Sequence, residues 1–186
     1  MMILVIGGSG SGKSSYAEDL VLALSKKQNL RKYYIAAMQV SDSEARKKVE
    51  NHRRMRSGKG FFTVEQQTDV DKALEKMETG GRIALVECIS NLAANEMFSG
   101  EVPQTAEQVA GKIIKEMKAL KAGLTHLVIV SNNLFEDGSV YDEATMEYIR
   151  AMGRVNRQLA DMADRVEEVA AGIPIAIKGE KFLCGS

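Results

Sequence analysis

Residues 7–14 read GGSGSGKS and follow directly on the apolar run 2–6, MILVI. G-x-x-x-x-G-K-S between an apolar run and a helical pattern is the phosphate-binding P-loop. It constrains the fold because such a loop works only when a buried strand delivers it and a helix N-terminus receives the phosphate. Gly7, Gly8, Ser9, Gly10, Ser11 and Gly12 form a small-residue loop whose backbone amides can turn toward one anion. Lys13 brings a positive charge to the β and γ phosphates. Ser14 offers a hydroxyl to Mg2+ at the start of the next helix, whose N-terminus adds a partial positive charge. The expectation is a nucleoside triphosphate held with Mg2+.

With 186 residues the chain is read as one domain, residues 1–186. Lys plus Arg number 25 and Asp plus Glu 25, so the balance is neutral and points to neither nucleic acid nor an anionic membrane. Cys88 and Cys184 are the two cysteines, read as free thiols of a reducing compartment. The first strand begins at residue 2, leaving no room for a signal peptide. No apolar run approaches the roughly 20 residues of a membrane span. A cytoplasmic protein is expected.

Short apolar runs alternate with helical patterns. Strands are expected at 2–6, 33–39, 82–87, 125–130, 166–171 and 173–178. Helices are expected at 14–26, 42–56, 91–98 and 142–164, with another after the capping box formed by Thr105 and Gln108. The run at 125–130 is continuously apolar, as in a strand covered on both faces. Residues 57–60 read as a loop. The alternation predicts an α/β fold: a RecA-like P-loop NTPase with three layers and a mainly parallel central sheet.

Four further features bear on chemistry. Glu87 ends a strongly apolar run; a carboxylate there either holds Mg2+ beside the P-loop or sits in solvent at a strand end. In the charged segment, Val49, His52, Arg53 and Arg56 share one helical face. Two readings stand for it. One is a solvated basic face. The other is a neutral imidazole, kept unprotonated by its cationic neighbours, acting as nucleophile on a phosphate that the arginines bind. In the run 153–160, GRVNRQLA, a glycine inside a helix costs about 1 kcal/mol against alanine and points to close packing or backbone approach. Arg154 and Asn156 there suit ligand or structural roles equally. Ser131, Asn132 and Asn133 follow the 125–130 strand on the ligand side of the sheet, as ligand contacts or as loop caps.

Together these pieces resemble one family, the bifunctional adenosylcobinamide kinase/adenosylcobinamide-phosphate guanylyltransferases of cobalamin biosynthesis. The resemblance covers nearly the whole chain. It is carried by ILVIGGSGSGKSSYAE at 3–18, YIAAMQ at 34–39, VENHRRMR at 49–56, FTVE at 62–65, LVECISNL at 85–92, GRVNRQLA at 153–160 and GIPI at 172–175. The P-loop alone is shared with many families; its combination with the His-Arg and Val-Glu-Cys-Ile motifs, in this order, is far more selective.

The resemblance implies that His52 attacks the α-phosphorus of GTP and carries GMP, with Lys13 assisting. It implies that the phosphate of the cobinamide substrate then takes the GMP, and that a kinase reaction with ATP or GTP first phosphorylates adenosylcobinamide. It implies nucleotide contacts at Ala37, Met38, Gln39, Arg53, Arg54, Met55, Arg56, Glu65 and Glu87, and metal contacts at Ser14 and Glu87. It implies a homo-oligomer, a trimer in the family. The chain departs from the family pattern at Asn133, where a glutamate is usual, at Ser57 and the Phe61-Phe62 pair, and at Met38. On the residues alone two other classes stay open: a P-loop kinase of another small metabolite that needs no covalent histidine, and a nucleotide-binding regulatory protein.

Overall fold

The computed structural model describes residues 1–39, 58–133 and 141–180. The strands are β1 (Met2–Gly7), β2 (Arg31–Ala36), β3 (Phe62–Glu65), β4 (Arg82–Glu87), β5 (His126–Asn132), β6 (Arg165–Ala170) and β7 (Ile173–Lys178). The helices are α1 (Lys13–Gln28), α2 (Ile89–Met97), α3 (Ala106–Gly123) and α4 (Glu143–Met162), with a 3-10 helix over Val70–Lys76. The strands form one sheet in the order β3-β2-β4-β5-β1-β6-β7. Every neighbouring pair is parallel except β6 and β7. The expected helix at 42–56 lies outside the described residues, as does Cys184.

Alternate side chains of each central strand feed two cores, as a period of two requires. Ile3 and Val5 of β1, Ile83 and Leu85 of β4, and Val128 and Val130 of β5 pack with Ala17, Leu20, Val21 and Leu24 of α1. Met2 and Leu4, Ala84 and Val86, and Leu127 and Ile129 face the other way, onto the layer of α2, α3 and α4. Because both faces are covered, the strands read as unbroken apolar runs. All parallel strands therefore present their carboxyl ends at one edge of the sheet, where β1 opens into the P-loop.

Several boundaries differ from the expected ones. β2 spans Arg31–Ala36, so Ala37, Met38 and Gln39 lie beyond its carboxyl end. β5 continues through Ser131 and Asn132, which pair with Ile6 and Gly7 of β1, so these polar residues belong to the sheet. Gly153 is exposed, and a Cβ built there would meet nothing within 4 Å. Among the described residues, nothing packs closely against that glycine.

A buried acidic cluster joins α2, α3 and the 3-10 helix. Lys112 Nζ lies 2.5 Å from Glu96 Oε2, 2.7 Å from Asp69 Oδ1 and 3.9 Å from Glu116 Oε1. The Glu96 carboxylate also accepts the Asp69 N–H at 2.8 Å. The Glu116 carboxyl is pushed up to about 7, by burial first and by the Glu96 carboxylate next, with Lys112 opposing. A carboxyl whose folded pKa is raised binds a proton in the native state that the unfolded chain has released. Stability from this group is therefore present below about pH 4.5 and lost as pH rises toward about 7. Glu116→Gln is expected to flatten the fall in stability across that window, by up to roughly 3 kcal/mol. Urea midpoints of both proteins at pH 5, 6, 7 and 8 check this; parallel profiles would contradict it.

Candidate functional site

The P-loop is built by packing as much as by its glycines. Gly12 caps α1 at φ 89° with no side-chain cap, leaving the first-turn N–H groups of the helix for an anion. At Gly7 a Cβ would meet Val169 O at 2.5 Å and Ser11 Oγ at 2.7 Å, so no side chain fits where β1 meets the loop. The β6–β7 hairpin braces the loop from outside. Its two-residue turn, Ala171 (φ 49°) and Gly172 (φ 80°), has the left-handed angles of a tight hairpin. The Gly172 N–H donates to Ser11 O at 2.8 Å. The GIPI motif thus contributes its glycine to the loop's support.

Lys13 is 7 % exposed, and its ammonium donates to Gly8 O at 2.9 Å, curling over the loop. Burial lowers its pKa, while Cys88 and Glu87 act to raise it. Ser14 Oγ donates to Glu87 Oε1 at 2.5 Å. The other carboxylate oxygen, Glu87 Oε2, is buried and has no hydrogen-bond partner among the described residues. The carboxylate therefore does not sit in open solvent. An oxygen set of a hydroxyl and a carboxylate with one orphaned, buried acceptor fits a hard divalent cation such as Mg2+.

The strand ends beside this pair line up. Glu65 of β3 and Glu87 of β4 are both register partners of Ala36 in β2. The Ala37 N–H donates to Glu87 O at 3.0 Å. Asn95, in the last turn of α2, donates through Nδ2 to Ala37 O at 2.7 Å and to Gln67 O at 2.9 Å, clamping the two loops that follow β2 and β3. No local sequence signal marks Asn95, since an asparagine in a last helical turn is ordinary and its partners are distant in sequence. Ala37 is buried, Met38 partly buried, and Gln39 and Glu65 exposed along this edge. Residues 52–56, which hold His52, Arg53, Arg54, Met55 and Arg56, lie outside the described residues.

On the other side of the loop, polar residues brace one another. Ser131 Oγ donates to Asn156 Oδ1 at 2.6 Å, and Asn156 Nδ2 donates to Asn132 O at 3.1 Å. Asn132 Nδ2 donates to Ser90 Oγ at 2.7 Å, and Cys88 Sγ lies 2.9 Å from the same hydroxyl. The Asn133 N–H donates to Gly7 O at 3.1 Å. Asn156 of the GRVNRQLA run thus ties α4 to the end of β5. Cys88 is a free thiol, and burial raises its pKa. His126 opens β5 at the opposite, amino end of the sheet, within hydrogen-bond reach of Gln28 at 3.1 Å.

The chain as a whole matches a known family. The profile of the family described as cobinamide kinase / cobinamide phosphate guanyltransferase, CobU, covers residues 3–177. The chain belongs to this family. It is 31% identical over 187 residues to the bifunctional adenosylcobalamin biosynthesis protein CobU of Escherichia coli (strain K12), covering 96% of this chain and 100% of that protein. It is 30% identical over 187 residues to the protein of the same name from Salmonella typhimurium, again over 96% of this chain and all of that protein. It is 27% identical over 180 residues to the bifunctional adenosylcobalamin biosynthesis protein CobP of Pseudomonas aeruginosa, over 97% of this chain and 99% of that protein. CobU membership makes the chain an enzyme of cobalamin biosynthesis, of a kinase and nucleotidyltransferase family. That selects the enzyme reading over a regulatory nucleotide binder and over a kinase of an unrelated metabolite.

Proposed function

We propose that the protein phosphorylates adenosylcobinamide with ATP or GTP, and then transfers GMP from GTP to adenosylcobinamide phosphate through His52. The observation that carries the nucleotide half is the pairing of Ser14 Oγ with Glu87 Oε1 at 2.5 Å beside the buried Lys13. In this reading residues 7–14 and Lys13 hold the triphosphate. Ser14 and Glu87 would hold Mg2+, which when bound neutralises charge on the triphosphate oxygens. The imidazole nitrogen of His52 attacks the α-phosphorus, a nitrogen–phosphorus bond forms, and the bond to the β-phosphate oxygen breaks, releasing pyrophosphate. A phosphate oxygen of the corrinoid then attacks the same phosphorus, the histidine bond breaks, and adenosylcobinamide-GDP leaves. Supporting this arrangement, the described residues on either side of 40–57 are placed by the sheet and α1: Gln39 lies beyond the carboxyl end of β2, and Lys59 Nζ meets the buried Glu18 of α1 at 2.6 Å. Both flanks lie next to elements that form the phosphate site.

The remaining contacts follow. Ala37, Met38, Gln39, Glu65 and Arg53 to Arg56 are assigned to the nucleotide. The homo-oligomer, a trimer, has a surface to use: Ile173, Ile175 and Ile177 of the edge strand β7 are 64%, 49% and 57% exposed. No helix among the described residues is long and apolar enough to cross a membrane, and a cytoplasmic location is assigned with the biosynthetic role.

Incubation of the protein with adenosylcobinamide phosphate, GTP and Mg2+ tests the proposal. It predicts adenosylcobinamide-GDP and stoichiometric pyrophosphate; release of phosphate alone would contradict it. Glu87→Gln is expected to raise the Mg2+ concentration for half-maximal turnover at least tenfold, since one anionic oxygen ligand becomes a neutral amide. A Mg2+ titration at saturating GTP reads this directly, and an unchanged midpoint would remove Glu87 from the metal site.

A further inference from the structure

Beside the P-loop lies a cleft of about 440 Å3, lined by Ser90, Asn91, Ala94, Phe98, Asn132, Thr145 and Tyr148. None of the residues invoked for phosphate chemistry lines it. Its position is fixed by the same strands. Asn132 is the register partner of Gly7, and Ser90 follows closely on Glu87, the residue that meets Ser14. Asn132 and Ser90 thus place one wall of the cleft next to the strand ends that carry the phosphate loop.

The chemistry of the walls is selective. Among the described residues, the lining contains no Asp, Glu, Lys, Arg or His. These residues offer no cation to compensate the lost hydration of an anionic phosphate chain, so they do not suit a second nucleotide. Hydroxyls, carboxamides and aromatic rings instead suit a neutral, amide-bearing ligand with apolar surfaces. The walls are also held in place in advance. Tyr148 OH donates to Ser90 O at 3.0 Å, and Asn132 Nδ2 to Ser90 Oγ at 2.7 Å. Thr145 is fixed at the start of α4, where its Oγ1 donates to Asp142 Oδ2 at 2.9 Å. Such preorganisation lowers the ordering cost of binding. Phe98, just past the end of α2, is 49% exposed and offers a ring to an apolar face outside.

We infer that this cleft is the acceptor subsite, taking the amide-linked arm of the corrinoid that ends in a hydroxyl or its phosphate. The ring, too large for the cleft, stays outside against Phe98. Asn132 uses one amide N–H on Ser90, and its Oδ1 and second N–H meet the amide of the arm. The inference rests on the function proposed above, which supplies the corrinoid as ligand.

Equilibrium dialysis with adenosylcobinamide, read by its visible absorbance, tests it on wild type, Ala94→Leu and Phe98→Ala. Ala94→Leu narrows the cleft, and Phe98→Ala removes a half-exposed ring at its mouth while leaving the buried core unchanged. The expected result is corrinoid affinity at least tenfold weaker in Ala94→Leu and about threefold weaker in Phe98→Ala. Affinity for a fluorescent GTP analogue should move less than threefold. Wild-type corrinoid affinity in both variants would overturn the assignment, as would failure of the wild type to bind adenosylcobinamide. A companion turnover assay with GTP and adenosylcobinamide phosphate separates the two readings. Corrinoid binding that depends on the cleft, without any transfer of GMP, would defeat the proposed reaction and leave the acceptor subsite standing.

Discussion

Alanine in place of Lys13 is expected to lower turnover with GTP or ATP by a factor of about a hundred to a thousand. That is the range found when one preorganised charge-stabilising group is removed from a transition state. The structure favours a loss of chemistry over a loss of fold. Lys13 is the first residue of α1, where alanine is a good helix former. Among the described residues its ammonium makes one hydrogen bond, the 2.9 Å contact from Nζ to Gly8 O. At 7 % exposure, beside Glu87 and Cys88, it sets a cation at the loop proposed to hold the triphosphate. Steady-state kcat with each nucleotide, beside a far-UV melting curve, checks this. A loss under tenfold with an unchanged melt would mean that Lys13 does not bear on the phosphates.

His52→Ala has the second large expected effect, and a selective one. Guanylyl transfer should fall to background, on the order of ten-thousandfold or more, because removal of a covalent nucleophile leaves only binding and electrostatics. Phosphorylation of adenosylcobinamide from ATP should persist within about tenfold, since γ-phosphoryl transfer depends on positioning by the loop and not on an imidazole nucleophile. Separate assays of the two products from one preparation read the difference. Equal losses in both reactions would assign His52 to nucleotide binding in general, and equal retention would leave it outside the chemistry.

The features legible in sequence were those with strong periodicity or fixed spacing. β1, β4 and β5 are unbroken apolar runs because α1 covers one face and α2 to α4 the other. The capping box at Thr105 and Gln108 marks the start of α3, and both of its reciprocal hydrogen bonds form. β3 went unseen as a strand for a physical reason: it has four residues, and only Val64 is buried. An edge strand of that length carries almost no alternation. In sequence Ser131 and Asn132, polar residues after an apolar run, suit ligand contacts and loop caps equally. Pairing with β1 continues through them, and Asn156 and Ser90 satisfy their side chains. The glycine at 153 pointed the wrong way, since it sits on the exposed side of α4. Asn95, which clamps two loops of the site, and Gly172, which braces the P-loop, depend on partners distant in sequence that no local pattern reveals.

The central claim is that the loop at residues 7–14 presents the α-phosphorus of GTP to His52. Incubation with Mg2+ and GTP labelled at the α-phosphorus, followed by denaturation, measures this most directly. The account predicts label that stays on the polypeptide through alkali, is lost in acid, passes to adenosylcobinamide phosphate when that is added before denaturation, and is absent from His52→Ala. Formation of adenosylcobinamide-GDP by a chain that never carries the label, or label undiminished in His52→Ala, would contradict it.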